Sequence, residues 1–167
     1  MAQTSVHPKS VQIIRHGEKP SNPSDPELSA RGKERALALA RDRVRLFGSL
    51  DYLFAASNST ESLRCVATIT PLAQVIHREI DSSIAAKDYS ELVQQVLQQG
   101  DYKGKRVLVC WHHEEIHDLA NGLGAVGVPQ HWPGSVFDRI WRLEFNGHDH
   151  PTFENSPQNL LPGDTAS

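Results

Sequence analysis

Short apolar runs separated by longer stretches with helical spacing make up most of the chain. The runs predict β-strands at residues 11–14, 51–56, 105–111 and 136–145. The third run, which contains VLVCW, is continuously apolar, and this is typical of a strand buried on both faces in a parallel sheet. The last, VFDRIWRLEF, alternates between apolar and polar residues, which indicates a strand near a sheet edge.

Between these runs, apolar residues recur at the three- and four-residue spacing of amphipathic helices. The spacing predicts helices over residues 31–46, 63–76, 90–99 and 116–123. We expect Ser29 and Ser90 to cap the first and third helices. Pro71 is expected to begin or kink the second. Gly100 would end the third, and Gly122 or Gly124 the last.

The order of elements predicts the fold class. Strands that alternate with helices favour a three-layer α/β/α sandwich with a mostly parallel central sheet. A chain of 167 residues is the size of one domain, so we expect a single domain over residues 1–167. Residues 1–9 and 147–167 could pack against this body or form loosely ordered tails. In such sheets, ligands bind outside the carboxyl ends of the strands.

Composition excludes several classes of partner and compartment. The net charge is −3, and the one basic stretch, residues 31–45, is interpreted as the solvated face of a helix, so no nucleic-acid surface is expected. No apolar run is long enough for a membrane span, and the N-terminus lacks the features of a signal peptide. The two cysteines, Cys65 and Cys110, are too few for a disulfide framework and are expected to be reduced and buried. A cytoplasmic location is the expectation.

Arginines and histidines follow the predicted strands at the points where those strands end. Arg15 and His16 close the first strand, Arg64 follows the second by a short loop, and His112 and His113 follow the third. Arginine offers planar, bidentate donors for phosphate oxygens, and a histidine with an unprotonated ring nitrogen is a nucleophile. This set suits a phosphoryl group better than a hydride or an acyl chain.

Four segments in order give a specific resemblance. They are IIRHGEKP (residues 13–20), LSARGKERA (28–36), SLRCVATITPLA (62–73) and VLVCWHH (107–113). Together they resemble the histidine phosphatase superfamily, which includes the phosphoglycerate mutases. The resemblance implies a phosphoglycerate mutase-like α/β fold.

The resemblance also implies roles for individual residues. His16 would be the nucleophile that becomes phosphohistidine, and Arg15, Arg64 and His112 would surround the phosphoryl oxygens. Two further residues are implied as phosphate contacts, namely Asn22 and His113. Neither a metal nor another cofactor is implied.

Mutases of the superfamily that this chain resembles have longer chains, with insertions that enclose a sugar-acid phosphate, so the resemblance favours a phosphatase over a mutase for this compact chain. Its substrate would be a phosphorylated small molecule or a phosphoprotein. No nucleic-acid or membrane partner is expected, and the oligomeric state stays open.

The proton donor for the leaving group is where the sequence departs from the family. Many members carry a Gly-x-x-Glu-Gly segment, which this chain lacks. Other members place the acid just after the second histidine, and this favours Glu114, with Glu115 next. Asp88 and Glu91 are the remaining alternatives. Any such acid needs a raised pKa, from burial or from a neighbouring anion.

Two other functions compete with the phosphatase. The stretch HEEIH matches the H-E-x-x-H pattern of zinc proteases, with His113 and His117 as ligands and Glu114 activating water. No third ligand is evident downstream, and Arg15 and His16 would then have no role. The other alternative is a non-catalytic phosphate-binding protein of the same fold.

Overall fold

We describe residues 6–165 of the chain in a computed structural model. The strands are β1 (Ser10–Arg15), β2 (Tyr52–Ala55), β3 (Ile80–Asp81), β4 (Arg106–Trp111), β5 (Arg139–Glu144) and β6 (Thr152–Pro157). The helices are α1 (Ala30–Arg41), α2 (Arg43–Phe47), α3 (Arg64–Ile76), α4 (Tyr89–Gln98) and α5 (His113–Gly122). Within residues 6–165, none of them combines the length and the apolar character that crossing a membrane requires.

The six strands form one sheet in the order β3-β2-β4-β1-β5-β6. The first four in this order are parallel. β5 runs antiparallel to β1, and β6 runs antiparallel to β5, so β6 has the same direction as the first four. The helices pack in pairs, α1 with α3 and α4 with α5, while α3 covers β2 and β4, and α5 covers β1. The three-layer α/β/α sandwich with a mostly parallel sheet is therefore confirmed.

The central pair of strands positions the site. β1 and β4 are buried on both faces, as their continuous apolar runs predict, and the side chains of Ile13 and Val109 are fully inaccessible. The two strands are in parallel register, with Ile13 opposite Val109 and Arg15 opposite Trp111. Because both strands end at the same level of the sheet, the residues that follow them lie side by side.

Several predicted boundaries are wrong. The first helix is interrupted at Asp42, which separates α1 from α2, and Pro71 lies inside α3 rather than at its start. Asp88, not Ser90, occupies the N-cap position of α4. Helix α5 begins at His113, three residues before the predicted start, because acidic residues in a first turn favour a helix N-terminus.

The basic stretch at residues 31–45 is not simply a solvated face. Ser29 caps α1 as predicted, since its hydroxyl accepts a hydrogen bond from the backbone N–H of Gly32 at 3.0 Å. Arg35 in the next turn, however, is only 1% exposed. A fully buried guanidinium needs partners for its charge, and these lie outside the helix.

Described residues near both ends of the chain are bonded to the sheet. β6 pairs antiparallel with β5, so that Thr152 lies opposite Glu144. At the other end, the backbone N–H of Lys9 donates to Lys105 O (2.8 Å), and the carbonyl of Lys9 accepts from Phe145 N (2.9 Å). Residues 1–5 and 166–167 lie outside the described part of the chain.

Candidate active site

His16 directly follows β1 and is fully buried. Its Nδ1 atom lies 2.7 Å from the carbonyl oxygen of Gly17. Since that oxygen can only accept, Nδ1 carries the proton of the neutral ring, and Nε2 keeps its lone pair. Burial lowers the pKa of His16 to about 2, and the positive charges of His112, Arg15 and Arg64 lower it too, against the hydrogen bond to Gly17. The ring is therefore neutral at physiological pH.

His112 follows β4 and faces His16. The centroids of the two rings are 5.2 Å apart, in an edge-to-face arrangement. Burial would lower the pKa of His112, but a hydrogen bond with Cys65 and the negative charges of Cys65, Glu115 and Glu114 raise it. The His16 ring thus favours the neutral form, and the adjacent His112 ring favours the cation.

The cysteines behind His112 are free and buried, as expected from the sequence. Burial would raise the pKa of Cys65, but hydrogen bonds from Cys110 and His112 lower it. Burial and the adjacent Cys65 raise the pKa of Cys110. The contact between Cys65 and His112 therefore lowers the pKa of the thiol and raises the pKa of the imidazole.

Arg15, the last residue of β1, is held from the loop before β5. Its Nη1 donates to the carbonyl oxygens of Gly134 (2.8 Å) and Val136 (3.0 Å). The guanidinium carbon lies 3.9 Å from the centroid of the Phe137 ring, a cation–π contact. Burial lowers the pKa of Arg15 to about 10, against the opposing charge of Glu114, so the group stays cationic at neutral pH.

Arg64 begins α3 and is also buried. Its Nη1 donates to the carbonyl oxygen of Asp25 (2.9 Å), in the loop after β1. The hydroxyl of Thr68, one turn later, donates to Arg64 O (2.7 Å) and accepts from Gly17 N (2.8 Å). These bonds connect the start of α3 to the loop that carries His16, whose pKa the charge of Arg64 helps to lower.

Three buried nitrogen atoms on Arg15, Arg64 and His16 have no hydrogen-bond partner among the described residues. They are Nε of Arg15, Nε of Arg64 and Nε2 of His16. Buried donors without partners are uncommon, because leaving them unsatisfied costs free energy. Two cationic N–H donors and one lone pair can bind an oxyanion and attack its central atom.

The two glutamates after His112 have different environments. The Glu114 side chain is 61% exposed. Burial would raise its pKa, but its backbone N–H and the His113 and His112 rings lower it. Glu115 is half-buried, and its Oε2 atom is inaccessible and without a partner in the described chain. Burial and the charge of Glu114 raise the pKa of Glu115.

The remaining sequence candidates are Asn22, Asp88, Glu91 and His113. Asn22 is exposed, and its side-chain oxygen accepts a hydrogen bond from Ser24 N (3.0 Å) within its own loop. Asp88 and Glu91 are exposed at the start of α4. His113 opens α5 with its Nδ1 3.5 Å from Glu114, and burial lowers its pKa.

The arrangement around His117 differs from that of a zinc site. Its Nδ1 lies 2.6 Å from the carbonyl oxygen of Pro129, and its Nε2 lies 2.8 Å from the amide nitrogen of Asn121. Both ring nitrogens are therefore engaged. In the part of the chain that the structure describes, no group of three or more His, Cys, Asp or Glu residues is placed to hold a metal ion.

Comparison with known proteins decides the fold. No family model and no curated protein sequence matches the chain. Its structure is similar to that of the protein histidine phosphatase SixA complexed with tungstate, with a TM-score of 0.63 and 15% identity over 89% of this chain and 97% of that one. The chain has the histidine phosphatase fold.

Two further solved structures share that fold. One is the putative phosphohistidine phosphatase SixA from Agrobacterium tumefaciens, with a TM-score of 0.56 and 18% identity over 93% of this chain and 99% of that one. The other is phosphoglycerate mutase from Plasmodium falciparum, with a TM-score of 0.59 and 10% identity over 95% and 96% of the two chains. The resemblance that the four sequence segments suggested is thus confirmed at the level of the fold.

Proposed function

We propose that this protein is a phosphatase that hydrolyses a phosphomonoester or a phosphoprotein through a phosphohistidine on His16. The observation that carries the proposal is the hydrogen bond from His16 Nδ1 to Gly17 O, at 2.7 Å. It leaves the Nε2 lone pair of a neutral ring buried beside cationic groups. The fold, which is shared with phosphatases and mutases, supports the same conclusion.

The reaction would proceed in two steps. The Nε2 lone pair of His16 attacks phosphorus, and the bond between phosphorus and the leaving oxygen breaks with its electron pair on that oxygen. Water then attacks the phosphohistidine, and the N–P electron pair returns to Nε2. Arg15, Arg64 and His112 would stabilise the charge on the phosphoryl oxygens in both transition states.

We assign the proton donor to Glu115 rather than to Glu114. A general acid must hold a proton near neutral pH, which a raised pKa favours and a lowered one opposes. The pKa of Glu115 is raised by burial, and that of Glu114 is lowered. The spacing after His112 favoured Glu114, but spacing carries no information about the charges around each carboxylate.

Turnover of p-nitrophenyl phosphate with and without a chelator tests the function. The expected result is turnover that survives the chelator, is lost in His16→Ala and persists in His117→Ala, a matched histidine on α5. A zinc hydrolase would lose activity with the chelator and in His117→Ala. A non-catalytic binding protein would bind tungstate without any turnover, and this result would overturn the proposal.

A further inference from the structure

The loop that carries His16 also carries Glu18, whose carboxylate is hydrogen-bonded to the buried side chain of Arg35. Glu18 Oε1 and Oε2 accept hydrogen bonds from Nε and Nη2 of Arg35, each at 2.8 Å. Arg31 Nε adds a third hydrogen bond to Oε2, at 3.1 Å. A bidentate guanidinium–carboxylate pair fixes orientation as well as distance. The position of Glu18, two residues after the nucleophile, therefore depends on α1.

Arg35 has a second carboxylate partner near the end of the chain. We call residues 158–165 the C-terminal segment. Arg35 Nη1 donates to Asp164 Oδ2 (3.0 Å) and Gln158 Oε1 (2.9 Å), and Nη2 donates to Asp164 Oδ1 (2.8 Å). With the two bonds to Glu18, all five N–H groups of the guanidinium are used. The side chains of Arg35 and Asp164 are each only 2% exposed.

The C-terminal segment also contacts the loop that holds Arg15. Thr165 donates to Asp138 Oδ2 from its backbone nitrogen (2.7 Å) and from its hydroxyl (3.0 Å). Gln158 N donates to the carbonyl oxygen of Asp138 (2.8 Å). Asp138 directly follows Phe137, whose ring packs on the Arg15 guanidinium. The segment is thus bonded to both loops that shape the candidate active site.

We propose that Arg35 and Asp164 are positioning residues, through which the C-terminal segment holds His16 and Arg15 in the geometry for phosphoryl transfer. This inference rests on the proposed function. Neither residue touches the phosphoryl group; both act through Glu18 and Asp138. Displacement of reacting groups by about 1 Å can slow an enzyme about a hundredfold, so a distant network of this kind can control rate.

Substitution of Asp164 tests the role. Asp164→Ala removes the carboxylate, Asp164→Asn keeps its shape, and Asp42→Asn is the control, a partly exposed carboxylate paired with Arg41 at 2.9 Å. At a temperature where all three are folded by near-UV circular dichroism, we expect kcat for p-nitrophenyl phosphate to fall at least about tenfold in Asp164→Ala. A smaller fall is expected in Asp164→Asn and none in the control.

A fall in thermal stability without a fall in kcat would overturn the proposal. If the folded Asp164→Ala and Asp164→Asn proteins both keep kcat within about twofold of wild type, the network only stabilises the fold. Where Asp164→Ala does not fold, Asp164→Asn decides by the same criterion.

A second readout does not depend on activity. The ¹⁵N resonances of the His16 ring report which nitrogen carries the proton. We expect the Nδ1–H form alone in wild type, and a mixture of tautomers or broadened signals in both Asp164 variants. An inactive wild type with shifted ring signals in the variants would sink the proposed function but support the positioning role. Active variants with unchanged ring signals would sink the positioning role alone.

Discussion

The Nδ1 atom of His16 donates a hydrogen bond to the carbonyl oxygen of Gly17, and the two atoms are 2.7 Å apart. Because a backbone carbonyl does not ionise, it accepts this hydrogen bond at any pH, and it therefore fixes the tautomer of the His16 ring. Glycine at position 17 also allows a close approach, since a Cβ there would lie 3.0 Å from Gly32 O. The neutral, oriented imidazole is the feature on which the proposed chemistry depends.

The charge of His112 predicts how oxyanion binding varies with pH. A raised pKa means that the ring stays protonated above the ordinary value of about 6.5, and that the cation is lost as the pH rises through the folded-state pKa. Tungstate, whose own charge is constant between pH 6.5 and 8.5, should therefore bind most tightly at the low end and weaken about tenfold as His112 loses its proton. Calorimetric titration across this range measures the change.

Two variants check that His112 is responsible. His112→Asn should bind tungstate weakly and without pH dependence. Cys65→Ala removes the thiol that raises the pKa of His112, so the loss of affinity should move to lower pH. Cys110→Ala removes a hydrogen bond that lowers the pKa of Cys65, so it should move the loss of affinity in the same direction but by less. An unaltered profile in His112→Asn would assign the titration to another group.

The proton donor can be identified by varying the leaving group. Glu115→Gln should cut turnover of an alkyl phosphate by about a hundred-fold or more, because a poor leaving group needs a proton. Turnover of p-nitrophenyl phosphate, whose leaving group is good, should change much less. Glu114→Gln is the matched control, and steady-state kcat on both substrates is the measurement. A larger selective loss in Glu114→Gln than in Glu115→Gln would reverse the assignment.

Phe137 is predicted to hold the Arg15 guanidinium through its π face. Phe137→Leu keeps most of the apolar volume but removes the cation–π contact, which contributes about 0.5–2 kcal/mol. Tungstate affinity should therefore fall by about two- to thirtyfold at pH 6.5. Phe153→Leu on β6, which alters the edge contact with Trp141 on β5, is the control. Equal effects of the two substitutions on affinity would show that the ring face has no specific role.

Helix α1 packs so closely on the loop that carries His16 that no side chain fits at Gly32. A Cβ at Gly32 would lie 2.6 Å from Glu18 O, whereas one at Gly100 would meet nothing within 4 Å. Gly32→Ala should therefore reduce the free energy of unfolding by about 1–3 kcal/mol and lower kcat by displacing the loop. Gly100→Ala should do neither. Denaturant unfolding and p-nitrophenyl phosphate turnover measure both effects, and a stable, fully active Gly32→Ala protein would contradict the close contact.

The central strands and their ends could be predicted because burial on both faces leaves a continuous apolar run. Parallel strands end at one edge of a sheet, and this predicted His16 and His112 at the same edge. The pairing of β1 with β4, which the sequence did not predict, brings the two residues side by side. The sequence did not predict β6, because this edge strand is largely exposed and its residues, TFENSP, show little apolar pattern. Backbone pairing with β5 fixes it, and the spacing of apolar residues does not encode such pairing.

The residues that support the site were harder to predict. Arg35 lies in a basic helical stretch that reads as solvated, and its partner Asp164 is 129 residues away. Phe137 follows a loop in which no periodicity indicates where a side chain points. Contacts between distant segments depend on how the loops close over the sheet, and a single sequence carries no local pattern for this closure.

Trapping the covalent intermediate tests the central claim most directly. Wild-type protein mixed with a ³²P-labelled phosphoester is quenched rapidly in base, digested, and the labelled peptide identified. We predict an acid-labile, base-stable label on His16 that forms as fast as turnover requires. Continued turnover with no label on His16, or with the label on another residue, would contradict the phosphohistidine mechanism.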